Sequence, residues 1–579
     1  MRPLQTPHRR WRPTGLALAA ATALGALALP AAQAFEIETD SEDWQLRWDT
    51  TARLSAKYRT ESADPALKDS FRLLVPGVPA SAFPQGLNFN AGNQNFQKKG
   101  IVSERADLLT EFDAIWRKDF GVRVSAAGWY DAKLHGKTQA DNDATLGQSP
   151  YNEFPARTRR LAGQDGDLLD AFVFGGWQLD GGGKITARLG RHALQYGESL
   201  FFGDNGIARA QGPIDIDKLL ASPNAQFKEI IRPVPQLSAQ WQVSPSLALG
   251  AYVQFGWEAD RLPAAGSYFS SANIPWGSRQ SELVGITDPV THAPLTNYRL
   301  TAGQDQEPGH SGQWGLQARW RLDDTDLGFY HARYHDKAGQ LYGQLATPPG
   351  AQPLSGGSWF YAFPQDIKVT GASFSSSLGD FNVAGEASVR DNMPLHITSN
   401  HLYGFYPGQA QPRFATGHTA HLNLSTLATF GPSFLSQESA LVAELAWNRL
   451  LSLNDPDGTV TAGHGRTRDA TALQFIFTPS YRQVLPGVDL SVPVGLRYTV
   501  DGASSVTAWD ARGNGTLSLG VEGNVANTWQ FTATYSHYLG KAVPFVDFSP
   551  AAHGGVPIFG KGNALADRDH LALSVRRTF

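Results

Sequence analysis

At 579 residues the chain is long enough for three or four average soluble domains, or for one large closed sheet. Hydrophobic residues make up 41% and charged residues 18%, with 59 Gly, 15 Trp, 17 Tyr and 31 Phe, too many aromatics and too few charges for a disordered chain. The absence of Cys excludes disulfide scaffolds, thiol catalysis and Cys-ligated metal centres, and a net charge of -4 offers no basic surface for nucleic acid.

Arg2, Arg9, Arg10 and Arg12 form a positive start, Gly15 to Leu29 is a short apolar run, and Ala32-Gln33-Ala34 supplies a small-x-small cleavage pattern. This predicts a secretory signal peptide over 1–34, cut before Phe35. Losing four arginines and no acid leaves 45 basic against 53 acidic residues in 35–579, a net charge of -8. Nothing after residue 34 holds 18 consecutive apolar residues, so no transmembrane helix is expected.

From Trp44 onward the residues alternate. Trp44, Leu46, Trp48, Thr50, Ala52, Leu54, Ala56 and Tyr58 share one face, and Gln45, Arg47, Asp49, Thr51, Arg53, Ser55, Lys57 and Arg59 the other. A period of two is a β-strand with one apolar and one wet side. Soluble strands run to about 5–6 residues, whereas a tilted membrane strand needs about 9–11; this one has sixteen. The pattern recurs and predicts eighteen strands, at about 44–59, 102–117, 120–131, 168–179, 184–196, 236–243, 246–258, 312–322, 325–336, 366–378, 380–391, 417–430, 438–449, 470–482, 488–500, 515–523, 527–539 and 567–579.

Every even-numbered strand ends in a short run of turn formers: Lys118-Asp119, Gly181-Gly182-Gly183, Ser244-Pro245, Asp323-Asp324, Gly379, Gly431-Pro432, Pro486-Gly487 and Asn524-Val525-Ala526. Every odd-numbered strand ends in a longer polar, Gly- and Pro-bearing stretch, such as 60–101, 132–167, 197–235 and 259–311. Aromatics sort to both strand ends, with Trp48, Trp116, Phe120, Trp177, Trp241, Trp320, Phe430 and Trp529 beside short turns, and Tyr58, Tyr130, Trp257, Trp314, Trp447 and Tyr498 beside long loops. Strand propensity alone does not sort aromatics this way. An even strand count, short periplasmic turns, long outer loops and two aromatic girdles predict an all-β fold. The expectation is a transmembrane antiparallel up-and-down β-barrel of about 18 strands, a single domain over 35–579 in the outer membrane of a Gram-negative bacterium.

The last strand alternates Leu571, Leu573 and Val575 up to a terminal Phe579. This resembles the signal that the barrel-assembly machinery reads, although Arg577 stands where an apolar residue is usual. Lys98 to Leu109, Leu169 to Gly175, Leu189 to Ser199, Phe475 to Tyr481 and Val484 to Leu490 are similar to signatures of the outer-membrane proteins catalogued as domain of unknown function 1302. The resemblance covers essentially the whole of 35–579. It implies a Gram-negative outer-membrane protein, often encoded beside a periplasmic lipoprotein-like partner and a resistance-nodulation-division type transporter, and it supplies no established substrate.

Eighteen strands enclose a backbone diameter of about 35 Å, too wide for side chains to fill and wide enough, if unplugged, to leak small proteins. Residues 197–235 are the candidate to fold inward, with Leu219, Leu220, Phe227, Ile230 and Ile231 suggesting short amphipathic helices and Asp215, Asp217, Lys218, Lys228, Glu229 and Arg232 offering mixed charge. A structured loop packed over the rim is the alternative for this segment. Alternation places Arg47, Arg53, Lys57, Arg59, Arg105, Arg123, Arg188, Arg319, Arg321, Arg390 and Arg497 inside, against Asp49, Asp107, Glu111, Asp113, Asp131, Asp170, Glu258, Glu386, Glu444 and Glu522. Such balance predicts no strong ion selectivity. The denser basic groups of the first three strands either orient a carboxylated solute or pair across strands and stiffen a wet wall.

Three function classes follow. The first is a channel or transporter for small organic, amphipathic or carboxylated solutes across outer-membrane lipid, in either direction. The second is a non-conducting outer-membrane component of an export or assembly system. The third, least favoured, is a barrel-embedded hydrolase, against which stands the lack of a Gly-x-Ser-x-Gly elbow or a His-Glu-x-x-His motif. His331 and His335 are expected on one strand face with no third ligand, and Asp141-Asn142-Asp143 reads first as a turn, so no cofactor or metal is expected.

Overall fold

The computed structural model describes residues 35–39, 41–68, 90–140, 152–223, 225–271, 282–283, 299–345, 357–396, 415–455, 465–547 and 558–579. The expected signal peptide and the Asp141–Asp143 turn lie outside these residues.

Antiparallel pairing runs through β1 (Trp44–Arg59), β2 (Gly100–Trp116), β3 (Phe120–Asp131), β4 (Gln164–Gln178), β5 (Lys184–His192), β6 (Val234–Ser244), β7 (Leu247–Gln254), β8 (Gln313–Leu322) and β9 (Thr325–Tyr334). It continues through β10 (Ile367–Leu378), β11 (Phe381–Pro394), β12 (Thr416–Phe430), β13 (Glu438–Asn454) and β14 (Asp469–Leu485). Then come β15 (Val488–Ser491 and Val494–Gly502), β16 (Gly515–Val525), β17 (Trp529–Leu539) and β18 (His570–Thr578). β18 pairs back onto β1, with Val575 opposite Leu54, so the 18-stranded sheet closes and its strands have no free edge.

Burial is inverted relative to a soluble sheet. On β1, Arg53, Lys57 and Arg59 are 3%, 3% and 0% exposed while Trp48 is 53% exposed. Apolar side chains face outward on every side of the ring, including Leu108, Leu189, Leu316, Phe329, Leu424 and Leu573. A wall that is apolar outside and charged inside is stable only where lipid replaces water around it.

Several boundaries differ from the alternation. β4 begins at Gln164 rather than 168, β5 stops at His192 rather than 196, and β7 stops at Gln254 rather than 258. The turn after β16 centres on Ala526 and Asn527, whose φ values of 51° and 52° make a primed hairpin turn closed by Thr528 N–H on the Val525 carbonyl at 3.1 Å. β15 is interrupted at Val492-Pro493 because proline has no N–H for the ladder. Phe35–Ile37 forms a short strand on β1 opposite Leu46–Trp48, continuing the ladder where β18 ends, and Phe579 exchanges backbone bonds with Thr50 at 2.8 and 3.1 Å. Long loops also build a four-stranded sheet from Glu282–Leu283, Arg299–Ala302, Gln340–Leu345 and Gly357–Ala362, which the alternation does not reveal.

The lumen is filled unevenly. Towards the long loops, apolar clusters pack inside the ring, one around Phe96, Phe154, Tyr268 and Phe269, a second around Tyr334, Ile367, Met393 and Val506, and a third around Phe202, Ala472 and Trp509. Towards the short turns, inward side chains such as Gln45, Arg188, Arg319 and Asn382 are exposed.

Candidate functional site

Residues 197–235 leave β5 and run through the ring, against its inner wall. The inward Glu386 of β11 accepts the N–H groups of Glu198 at 2.7 Å and Ile207 at 2.9 Å. A Cβ at Gly197, whose φ is +91°, or at Gly206 would run into that carboxylate, so glycine at both positions lets the backbone reach it. Glu444 of β13 accepts the N–H groups of Leu200, Phe201 and Phe202 at 3.2, 2.5 and 2.9 Å, and the Asn423 side-chain amide at 2.7 Å. Arg390 donates to the carbonyls of Asp204, Asn205 and Gly206 at 3.0, 2.8 and 2.9 Å. Wall side chains thereby satisfy a buried backbone stretch that has no strand to pair with.

The segment then reaches β1 and β2. Arg209 forks onto Asp260 at 3.1 and 2.8 Å and bonds Asp336 at 3.1 Å. Burial opposes its charge, but these two carboxylates outweigh burial and push its pKa up. Helix α1 (Ile216–Ala221) is capped by Asp215, which accepts Lys218 N–H at 2.8 Å and an Arg261 bond at 2.9 Å. From α2 (Phe227–Ile230), Glu229 pairs with Arg53 at 3.2 Å and Lys228 with Glu111. Lys57 donates to the Leu220 carbonyl, and Arg232 pairs with Glu258 at 2.6 Å. Burial, reinforced by the neighbouring Asp215, raises the Asp217 carboxyl to about 7 against the pull of Arg105, Arg261 and Lys57. Phe227 is 56% exposed, its ring turned away from the protein packing.

The remaining inward cations divide into two sets. Arg53 lies 3.5 Å from Asp107, Arg105 bonds Asp107 at 3.0 Å, and Arg123 meets Glu111, Asp113 (3.2 Å) and Asp170 (3.5 Å). Arg47, near the short-turn end, pairs with Asp49. Arg188, Arg319 and Arg497 are exposed and make no ion pair among the described residues; Arg188 lies over Phe172 at 5.7 Å and Arg497 over Phe202 at 5.6 Å. Beyond β13 the segment's contact is apolar, with Phe202 packing against Ala470 and Ala472 of β14 and against Trp509. There Gln474, Thr516, Ser518, Thr534, Ser536 and Ser574 line β14 to β18 and stay half-buried.

A model of the family described as "Protein of unknown function (DUF1302)" matches residues 15–579. The chain belongs to that family. No curated protein sequence matches it. Among solved structures, the DUF1302 chain is similar to the outer membrane channel DcaP of Acinetobacter baumannii at 8% identity and a TM-score of 0.36, over 94% of this chain and 100% of that one. OccAB1 of Acinetobacter baumannii follows at 9% and 0.39 over 95% and 99%, and OccK9 (OpdG) of Pseudomonas aeruginosa at 10% and 0.37 over 94% and 100%. These likenesses are weak, and the barrel rests on the strand pairing described above.

In this DUF1302 barrel, Leu571, Leu573 and Val575 line the lipid face of β18. Arg577, on the same face, lies over the rings of Trp529 at 5.0 Å and Phe579 at 4.6 Å, which carries its charge across apolar surface. His331 and His335 are not brought together: His331 is on the outer face, bonded to Thr370, while His335 lies past the end of β9, buried against the Ser311 carbonyl. Alternation on β18 also places Arg576 inward, opposite Arg53, a position the same parity rule would have found. Asp260 and Arg261 sit in a loop without periodicity, so no local signal announced them, and Asp336, at the end of the strand expected over 325–336, lies past the end of β9.

Proposed function

We propose that this barrel is an outer-membrane channel for small organic solutes, narrowed by residues 197–235, with the path running between that segment and the β15–β18 wall. The supporting observation is the asymmetry of the segment's fastening. The buried Arg53–Glu229 pair, the Lys228–Glu111 pair and amide-to-carboxylate bonds tie it to β1, β2, β11 and β13, while the half-buried hydroxyls of β16 to β18 line the remaining wall. Hydroxyls and the free Arg497 on one side, with Phe227 and Lys228 on the other, suit an amphipathic, carboxylated solute. Arg188 and Arg319 would gather such anions at the short-turn mouth.

A second reading, a non-conducting component of an export system with the periplasmic partner and transporter that the family resemblance implies, is favoured by one observation: the apolar clusters packed inside the long-loop half. Single-channel recording in planar bilayers separates the two. Ohmic steps whose anion preference falls in an Arg188→Gln, Arg319→Gln, Arg497→Gln variant support the channel. Confirmed insertion without conductance refutes it and leaves the second reading.

A further inference from the structure

The outer wall carries a groove of about 1070 Å³ that the lumen does not explain. Its floor is outward-facing and small, with Ala52, Ala106 and Gly128 flanked by Leu54, Leu108 and Val575 on four neighbouring strands. Side chains of this size leave a furrow beside Leu54, Leu108 and Tyr130, and a Cβ on Gly128 would meet nothing closer than 3.8 Å. In a membrane such a furrow is filled by acyl chain.

One end identifies the leaflet. The furrow climbs from these strands to His135, Arg159 and Arg160, in the long loop between β3 and β4, and to Gln164 and Asp165 at the loop-side start of β4, which is the outer side of the bilayer. Arg160 is exposed and has no protein partner among the described residues, and Arg159 makes only a 3.4 Å pair with Glu153 there. Two guanidiniums at a lipid headgroup level recognise phosphate. Beside them stand Gln164, the acceptor Asp165, and Tyr130 stacked on His135 at 4.8 Å. Acceptors would repel a bare phosphodiester but bond hydroxyls, and a ring face suits a sugar.

We propose that this groove binds a phosphorylated, multiply acylated glycolipid of the outer leaflet, its acyl chain on the Ala52–Ala106–Gly128 floor and its phosphate on Arg159 and Arg160. The test is native mass spectrometry of the full-length protein purified from membranes, delipidated in detergent and titrated with lipid A, with phosphatidylglycerol as the competing anionic lipid. One tightly held lipid A is expected on the native protein. Arg159→Gln with Arg160→Gln should weaken it about tenfold or more, the loss of charge-assisted bonds to phosphate. Gly128→Leu should fill the floor and abolish binding, while the heat-resistant folded band on gels stays unchanged. Equal binding by all variants overturns the proposal, and so does phosphatidylglycerol displacing lipid A at equal concentration, which would leave only an unselective acyl furrow.

Discussion

Removing the Glu444 carboxylate tests whether residues 197–235 are a fastened constriction. One oxygen accepts three backbone N–H groups and the other the Asn423 amide, in a side chain only 1% exposed. In Glu444→Gln the bonds survive as neutral ones, and charge-assisted bonds exceed neutral ones by about 1 kcal/mol each, so three lost assists cost roughly 3 kcal/mol. In Glu444→Ala the donors lose their acceptor altogether, at about 1–3 kcal/mol each. The Gln variant should therefore shift the ratio of fastened to released segment by about two orders of magnitude, and the Ala variant by more. Because β13 stays paired with β12 from Thr416 to Phe430 and with β14 from Glu438 to Arg449, the barrel itself should fold. The assay is single-channel recording, in which the fraction of time spent in the larger conductance state should rise in the order native, Gln, Ala. Traces from Glu444→Ala identical to native, with the folded protein confirmed inserted, would refute a gating role for the segment.

Protonation of Asp217 should favour the fastened state on acidification. Its pKa is raised from 3.8 to about 7, so the fastened form binds the extra proton and loses stability as pH rises from about 4 to 7. Flicker to larger conductance should increase over that range, and Asp217→Asn should flatten the dependence. Arg53→Gln should leave ion selectivity unchanged, because Arg53 is already neutralised by Glu229 and Asp107, yet lower the unfolding midpoint in urea by breaking a buried pair worth about 3–5 kcal/mol. A changed reversal potential would contradict that assignment. Phe227→Ala should enlarge unitary conductance with stability altered by less than about 0.5 kcal/mol, since the ring is exposed; an unchanged conductance would place the path elsewhere.

The sequence by itself determined the barrel, its even strand count and which face of each strand is wet. Those properties are local: a period of two and a turn residue are written within a few positions. It also marked Arg53, Arg105 and Arg123 as inward, and the same parity rule applied to β18 would have added Arg576. Only the tertiary structure decided what those charges do. Arg53 meets Glu229 across 176 positions of sequence, and Gly197 and Gly206 matter because Glu386 lies against them. The guanidiniums of Arg188, Arg319 and Arg497, which make no ion pair among the described residues, look in sequence like any other inward arginine. Pairing depends on strand register and on the path of an aperiodic loop, and both are fixed by contacts between distant residues that no window of sequence contains.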